Sequence, residues 1–578
     1  MLFGMYTETG WSRVLTWDGF GYYYYLPMVF IHKTISLENL DMANEIFNNY
    51  NPSSTLYQFT TMPDGRHIIR YASGQAVLYL PFFLIGYLIA TLTEYPADGF
   101  SQPYNISILF GGLIYHIIGI ALIARILLRF YTDKVVAITL FVLVFGTNMY
   151  SLLNGTALSS HGSALLLIAG FITIVDSYFR QKSIAKIFLA GCLFGLICIN
   201  RPTDFITIIP AVLWPMVISG TTVNQELKSL FTNAKHILAF LIPTMFFAFI
   251  QFGYWRYAGG SWFINSYGNP GEGLDFLTPY TIPFLFSFKS GWLLYTPLMA
   301  LVLIFLLIKV FRRDRKMQIV FIYTLVFIYL ASSWTNWWYG GGFSQRAMVQ
   351  AYVMLSFPLA GLVNYSFFKH TKLSSVLRVL IPLLVVLSIW QSTQYKNGVL
   401  TSDTVTADYY FSSFFDSEMD PTKKHLLGFN RFDVYAQPNY GLPDGFDLVQ
   451  TFELNLGETS LNDMDFTPGF KMAYQDLCEE EFCFILFTGV FQGMPPKNAG
   501  LVTTFDHAGS YGYQLRNVRE NLVDSNITDS SYTSTAVYLT PHMRSKRDTL
   551  TAYIWNMKRE PGILTKLKLE VYVKAETD

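Results

Sequence analysis

The chain has 578 residues, of which 52% are hydrophobic and only 14% are charged. A soluble domain usually carries about 25% charged residues, so the composition argues against an ordinary soluble protein and indicates a membrane protein. The formal net charge is zero, which gives no reason to expect nucleic acid as a partner.

The chain opens without a signal peptide. Residues 1–10 hold a few apolar side chains and then stop, and we interpret them as the outer end of a helix whose membrane part precedes Met1. The run WDGFGYYYYLP follows, with Asp18 among aromatic side chains. An acid held there can accept a proton from a hydroxyl, while Trp17 and Tyr22 can stack on a sugar. The alternative is an ordinary loop acid that makes a turn with Gly19.

Apolar runs long enough to cross a hydrocarbon core of about 30 Å recur along the middle of the chain. These predicted spans are 104–129, 135–153, 160–179, 187–200, 204–219, 236–256, 292–310, 318–334, 347–366 and 375–391. Basic residues fall in every second connection, which predicts that those loops are cytoplasmic. They are Arg125, Arg129 and Lys134; Arg180, Lys182 and Lys186; Lys228 and Lys235; Arg312, Arg313, Arg315 and Lys316; and Lys369, Lys372 and Arg378.

The segment 75–92 is also apolar and has two interpretations. It either crosses the membrane and leaves residues 1–70 in the cytoplasm, or it lies in the outer interface or re-enters. We prefer the second, because the segment is short, contains Pro81 and Gly86, and has acids at its far end.

The loop WTNWWYGGGFSQR from Trp334 to Arg346 is predicted to lie outside. Glycines let a backbone approach a ligand, and Arg346 at the start of the next helix is suited to hold a phosphate. Trp337 and Trp338 are predicted to stack on a sugar or acceptor. The alternative is an aromatic belt with a snorkelling arginine.

Three further basic or potentially basic residues, His161, Arg201 and Lys289, share the predicted outer face with Arg346. Each alone is typical of a structural residue, but together the four suggest a site for an anionic headgroup. Within the spans, His116 is the main ionisable residue, and such a histidine is usually bonded to a neighbouring helix. Polar groups at helix ends favour a site at the membrane surface over a path through the membrane.

From about residue 393 the apolar runs give way to period-two alternation, as in Leu567 to Val573 and Phe452 to Leu456. This predicts a soluble, β-sandwich-like domain. Cys478 and Cys483 lie within it and are predicted to form a disulfide if the domain faces an oxidising compartment. The pair Asp463 and Asp465 is only a weak metal motif.

In their order and sidedness, four segments resemble bacterial membrane glycosyltransferases of the GT-C fold, which include protein mannosyltransferases and the lipid A aminoarabinose transferase. The segments are WDGFGYYYYLP, YASGQAVLYLPFF from Tyr71, INRPTD from Ile199 and SSWTNWWYGGGFSQR from Ser332. The resemblance covers about residues 10–390 and implies a first outer loop with a catalytic acid and interfacial helices. It implies Asp18 as the general base and Arg346 as a ligand of the donor phosphate. It also implies a first helix preceding Met1, because members of this family begin with one.

We therefore expect a polytopic α-helical membrane protein of about 10–11 spans with three parts: an outer loop (1–102), a helical domain (103–392) and an outer β-rich domain (393–578). The resemblance implies an inverting transferase in the bacterial cytoplasmic membrane. It would move a sugar from a polyprenyl-phosphate donor to a glycan, lipid or protein acceptor at the outer face. No cofactor is expected and no metal is assigned, because the first outer loop lacks an acid pair. The alternatives are a transporter or flippase of lipid-linked sugar and a non-catalytic protein of polysaccharide assembly.

Overall fold

A computed structural model describes residues 14–575 with gaps. The gaps are 54–55, 63, 156–159, 219, 221, 223–224, 226–232, 268–272, 429–440, 463, 508–509, 527–530, 542 and 544. The expectation for residues 1–10, and half of the weak metal motif, Asp463, lie outside the described residues. The chain forms two compact units, Met1–Gly268 with Pro279–Gly428, and Asn269–Thr278 with Phe429–Asp578.

The first unit is helical apart from a small antiparallel hairpin of β1 (Phe59–Thr61) and β2 (His67–Ile69). Its helices are α1 (Trp17–Tyr23), α2 (Tyr25–Phe30), α3 (Asp41–Tyr50), α4 (Gly74–Leu92), α5 (Gln102–Leu127), α6 (Asp133–Phe145), α7 (Met149–Gly155), α8 (Ser160–Arg180), α9 (Ile184–Asn200), α10 (Ile208–Leu213), α11 (Pro215–Ile218), α12 (Ala234–Ala258), α13 (Thr281–Phe286), α14 (Trp292–Tyr295), α15 (Pro297–Phe311), α16 (Arg315–Ser332), α17 (Tyr352–Phe368), α18 (Lys372–Lys396) and α19 (Ala407–Ser412).

Six helices of the described chain are long and apolar enough to cross a membrane, namely α4, α5, α8, α12, α16 and α18. Shorter apolar helices, among them α9, α15 and α17, pack with them around a common core. Many apolar side chains on the outside of the bundle stay exposed, such as Phe249 and Val386. The first unit therefore has the helices of a multi-pass membrane protein, as the composition predicts.

Helix α4 runs antiparallel to the first part of α5. The Tyr115 hydroxyl donates to the carbonyl of Leu78 at 2.6 Å, and farther along Gly86 lies against the backbone of Tyr104. Gln75, at the start of α4, donates to Ser163 near the start of α8 at 2.9 Å. Helix α4 thus begins at the end of the bundle where α8 begins, and we call this the α8-start end.

The opposite end of α8 holds a buried acid, Asp176, whose side chain has no exposed surface. Arg129 forms an ion pair with it, Arg180 contacts it at 2.9 Å, and the Trp214 indole donates to it at 2.9 Å. Three separate segments are therefore joined at this end by one carboxylate. Sequence reasoning did not single out Asp176.

The second unit is built from two antiparallel sheets. Its strands are β3 (Phe446–Ser460), β4 (Phe470–Ala473), β5 (Phe484–Gln492), β6 (Ala499–Asp506), β7 (Ser510–Asn517), β8 (Leu522–Asn526), β9 (Ser531–Leu539), β10 (Thr549–Asn556) and β11 (Ile563–Lys574). The strand orders are β4-β10-β6-β7 and β3-β11-β5-β9-β8. Phe470 of one sheet and Phe487 of the other meet edge-on at 6.2 Å within a shared core. The predicted C-terminal β region is confirmed, although the compact unit resumes at Phe429 rather than near 393 and includes 269–278.

The inserted segment is attached within the second unit through His507. The Nε2 atom of His507 lies 3.1 Å from Asp275, and its Nδ1 atom lies 2.5 Å from Asp548. Thr278 also donates its hydroxyl to Asp275 at 2.6 Å. These contacts hold a short segment from the middle of the chain onto strands that follow much later.

Cys478 and Cys483 are both buried and both are free thiols in this structure, so the expected disulfide is not formed in it. A hydrogen bond between the two thiols lowers the pKa of Cys478 to about 7. The Cys478 thiol also donates to the Tyr474 hydroxyl at 3.2 Å. The two thiols are thus neighbours, and whether they oxidise in the protein stays a prediction.

Candidate functional site

Asp18 lies in the first turn of α1 at the α8-start end of the bundle. The turn begins at Trp17, whose φ of 50° is unusual for a bulky residue. The Trp17 amide donates to Pro52 at 2.9 Å, and the amides of Val14 and Leu15 both donate to Asn105 at 3.0 Å. Contacts from distant segments therefore hold the start of α1 in an unusual conformation directly beside Asp18.

The Asp18 carboxylate accepts hydrogen bonds from three side chains. The hydroxyls of Tyr57 and Tyr71 donate to Oδ1 at 2.8 and 2.7 Å. The Arg346 Nη2 atom donates to Oδ2 at 2.9 Å. The structure thus joins the two residues that the sequence singled out separately, the expected base and the expected phosphate ligand.

Tyr71 can pack against α1 and reach Asp18 because α1 carries a glycine, Gly21, three residues after the aspartate. A Cβ atom on Gly21 would lie 2.3 Å from the Tyr71 ring, so only glycine leaves room for this packing. The ring also packs against Tyr22 with centroids 4.4 Å apart. Tyr71 opens one of the four segments quoted above, but no sequence signal indicated that it, or Tyr57, contacts Asp18.

Asp18 is ionised at neutral pH. Burial alone would raise the pKa of its carboxyl, but the charge of Arg346 and the hydrogen bonds from Tyr71 and Tyr57 outweigh it. The result is a pKa below the usual value of 3.8. Burial, followed by the charge of Asp18, raises the pKa of both tyrosines, so they remain donors.

The carboxylate is also accessible, since 36% of the Asp18 side chain is exposed to solvent. Its Oδ1 atom is held by two phenols, whereas Oδ2 contacts one arginine nitrogen. A carboxylate oxygen has more than one acceptor position. An incoming hydroxyl can therefore donate to Oδ2, which is the geometry that a general base needs.

Arg346 leaves an irregular loop and opens a short 3-10 turn before α17. Tyr339, Gly341 and Ser344 of this loop all have positive φ values of 51°, 70° and 56°. The turn puts the Arg346 guanidinium beside Asp18 with 20% of its side chain exposed. The loop thus borders the Asp18 site, and whether its glycines let the backbone approach a ligand stays a prediction.

Arg201, at the end of α9, is connected to the same site through Ser160. Its Nη1 atom donates to the Ser160 hydroxyl at 2.8 Å, and that hydroxyl donates to Tyr22 at 3.2 Å. Tyr22 lies within electrostatic range of Asp18, Arg201 and Arg346. Its ring is buried, so stacking on a sugar stays a prediction that requires its packing to open.

His161 is buried behind this layer rather than facing outward. Its Nδ1 atom lies 3.0 Å from the Gln350 side-chain oxygen, and Gln350 donates to Asp204 at 3.3 Å. Asp204 in turn lies 3.9 Å from Arg201. His161 thus belongs to a network that includes Arg201 through Gln350 and Asp204, two residues that sequence reasoning missed.

Lys289, Trp337 and Trp338 form a neighbouring group. The Lys289 ammonium lies 3.9 Å from the centre of the Trp338 ring, and Trp337 meets Trp338 edge-on at 5.9 Å. Both indoles are buried, so protein atoms cover the faces that were predicted to stack on a ligand. Trp17, by contrast, has 55% of its surface exposed, and its stacking on a sugar stays a prediction.

His116 bonds within its own helix, its Nδ1 atom lying 2.7 Å from the Gly112 carbonyl, and not to a neighbouring helix as expected. Gly162 of α8 packs directly against its ring. In the part of the chain that the structure describes, no three His, Cys, Asp or Glu side chains form a group suited to a metal ion.

No protein-family model matches this chain, and no curated protein matches its sequence.

Proposed function

We propose that this protein is a glycosyltransferase with the GT-C fold that takes a sugar from a polyprenyl-phosphate donor. The observation that supports it best is an ionised, accessible Asp18 paired with Arg346 at one end of an apolar helical bundle. In this pair, the carboxylate can accept the proton of an acceptor hydroxyl, and the arginine can bind the phosphate of a lipid donor. An apolar bundle is suited to a substrate with a membrane-bound chain.

In the proposed reaction the acceptor oxygen attacks the anomeric carbon of the donor sugar. The bond between that carbon and the phosphate oxygen breaks, and its electron pair leaves with the phosphate. Asp18 takes the proton of the acceptor hydroxyl at Oδ2, while Arg346 stabilises the charge on the leaving phosphate. Attack from the side opposite to the phosphate inverts the configuration at the carbon.

Arg201 extends the proposed donor site, because its charge and that of Arg346 both act on Tyr22 and on His161. His161 has a positioning role in this proposal, since it is buried and reaches Arg201 only through Gln350 and Asp204. Lys289, over Trp338, is assigned to the rim of the site. We place the site at the outer face of the bacterial cytoplasmic membrane, and we assign the β unit to the acceptor.

The direct test is to identify lipids that copurify with the full chain, using mass spectrometry. We expect polyprenyl-phosphate sugars with the unaltered protein and a large loss of them with Arg346→Ala. Arg256→Ala is the matched control, because Arg256 is exposed and bonds only its own helix end among the described residues. Equal recovery from all three proteins, or no such lipid from any, would overturn the donor assignment.

Transfer itself is tested by adding the recovered donor lipid to candidate acceptors. An unaltered protein that moved the lipid between leaflets without consuming it would instead support the flippase alternative.

A further inference from the structure

We propose that the ion pair between Asp18 and Arg346 is a switch that the donor phosphate opens, so that the base becomes available only after the donor binds. This inference rests on the proposed function. It goes beyond it by assigning the two residues a mutually exclusive contact and an order of substrate binding.

The first support is that Arg346 uses only half of its hydrogen-bonding fork. Its Nη2 atom donates to Asp18, while its Nε atom is buried without a hydrogen-bond partner among the described residues. Arg559 in the β unit uses the whole fork, with its Nε and Nη2 atoms 2.9 and 2.7 Å from the two oxygens of Asp465. The resting contact of Arg346 is therefore incomplete.

A phosphate group would complete that fork. Arginine binds phosphate best through two parallel hydrogen bonds, and here these would come from Nε and Nη2. The Nη2 atom already holds Asp18 at 2.9 Å, so the phosphate and the carboxylate compete for it. Both side chains are partly exposed, so solvent weakens their ion pair, and binding would exchange this single contact for a two-bond contact to phosphate.

The second support is the way in which Asp18 would stay in place. Both Tyr57 and Tyr71 donate to Oδ1, and neither takes Oδ2. When Arg346 moves to the phosphate, the two phenols still orient the carboxylate and Oδ2 becomes free for the acceptor. The phosphate also neutralises the charge of Arg346, so the carboxylate becomes a stronger base at the same moment.

Linkage makes the inference quantitative. A ligand shifts an equilibrium only by its difference in affinity for the two states, and the coupling is reciprocal. If the ion pair opposes phosphate binding, removing Asp18 must tighten that binding. If solvent weakens this partly exposed pair to about 1 kcal/mol, the upper value for surface pairs, the gain in affinity is about fivefold.

The experiment measures binding of farnesyl phosphate to the detergent-purified full chain by calorimetry. The four proteins are the unaltered chain, Asp18→Ala, Arg346→Gln and the double variant. We expect Asp18→Ala to bind about fivefold more tightly, Arg346→Gln to bind weakly, and Asp18→Ala to have no effect in the Arg346→Gln background. Asp18→Asn should give a smaller gain, because its amide oxygen still accepts from Arg346.

The double variant separates the switch from simple removal of a negative charge. Equal tightening in both backgrounds would mean that Asp18 only repels the phosphate, and the switch would be overturned. Unchanged or weaker binding by Asp18→Ala would overturn it as well, while leaving the phosphate role of Arg346 intact. If Arg346→Gln bound like the unaltered chain, the donor site of the proposed function would fail instead. Asp41→Asn, at an exposed acid of α3, controls for charge, and melting curves confirm that each variant is folded.

Discussion

Two aspartates of the helical unit pair with arginine, and they lie near opposite ends of the bundle. Ser160, bonded to the Asp18 site through Tyr22, begins α8, and Asp176 lies near its end, about 24 Å away at 1.5 Å per residue. Asp176 has no exposed surface and contacts Arg129, Arg180 and Trp214. At Asp18, 36% of the side chain is exposed, and the Oδ2 atom accepts a hydrogen bond from Arg346 alone among the described residues.

The difference lies in unused hydrogen-bonding capacity rather than in residue type. Both oxygens of Asp176 accept bonds from groups that join three segments, so its contacts are those of a structural residue. At Asp18 the two tyrosines use one oxygen and leave the other to a single contact. An accessible carboxylate that is held firmly on one side is available for chemistry on the other.

The largest expected effect is on turnover. Asp18→Asn keeps the shape of the side chain and removes the base, so the transfer rate should fall about 100- to 10,000-fold. The melting temperature should change little, because the site is partly exposed. Transfer of labelled sugar from copurified donor lipid measures the rate. Near-normal transfer would show that the base lies elsewhere, with Asp64 and Glu94 the next candidates.

The matching change at the other end should have the opposite profile. Asp176→Asn removes the charge that Arg129 and Arg180 share, so the free energy of unfolding should fall by about 3–5 kcal/mol. Calorimetric melting in detergent measures this loss. If Asp176→Asn lowered the transfer rate as strongly as Asp18→Asn and left the free energy of unfolding unchanged, the distinction between the two acids would not hold.

A third prediction concerns the pH dependence of the rate. A base is active above its pKa and loses activity as the pH falls through it, and Arg346 keeps the pKa of Asp18 below 3.8. At donor concentrations well below saturation, where the ion pair is still closed, the transfer rate of the unaltered protein should therefore stay unchanged down to about pH 5. In Arg346→Gln the burial of Asp18 acts without the opposing charge, so the loss of rate should begin at higher pH. The measurement is the transfer rate against pH for the two proteins, each divided by its own maximum. If the rate fell at the same pH in both, the ion pair with Arg346 would not set the pKa of Asp18.

The last prediction concerns the side of the membrane on which each end of the bundle lies, and the substitutions that test it should change neither rate nor stability appreciably. Basic residues mark the Asp176 end, so a cysteine at position 183 should be shielded from an impermeant thiol reagent in intact cells. A cysteine at position 417, after α18, should react. Both variants are made in a chain whose four native cysteines are replaced. Labelling of both from the same side would disprove the predicted sidedness.

The sequence predicted the apolar helices and the β region because both depend on local periodicity. It also singled out Asp18 and Arg346, each from its aromatic or glycine-rich surroundings. It gave no sign that they touch, since 328 positions separate them and only tertiary packing brings them together. Tyr57 and Tyr71 were missed for the same reason.

The tryptophans illustrate a different limit. A run such as Trp337 and Trp338 has the same composition whether it faces a ligand or the protein core, and here both rings are buried. The start of the β unit was placed near 393 because apolar runs end there. Helix α19 and its neighbours in fact belong to the first unit, and a short insert belongs to the second. A change in composition along the chain does not show which unit each segment packs against.

The insert also affects how the β unit can be produced and how it folds. Asp275 is synthesised long before its partner His507, and the long helices from α15 to α18 are made in between. During synthesis, this segment is therefore made before the strands that it contacts. A fragment cut at Phe429 would carry His507 and Asp548 but lack Asp275, so one cleavage cannot release the whole folding unit. A soluble version would need residues 269–278 joined back to it through a linker.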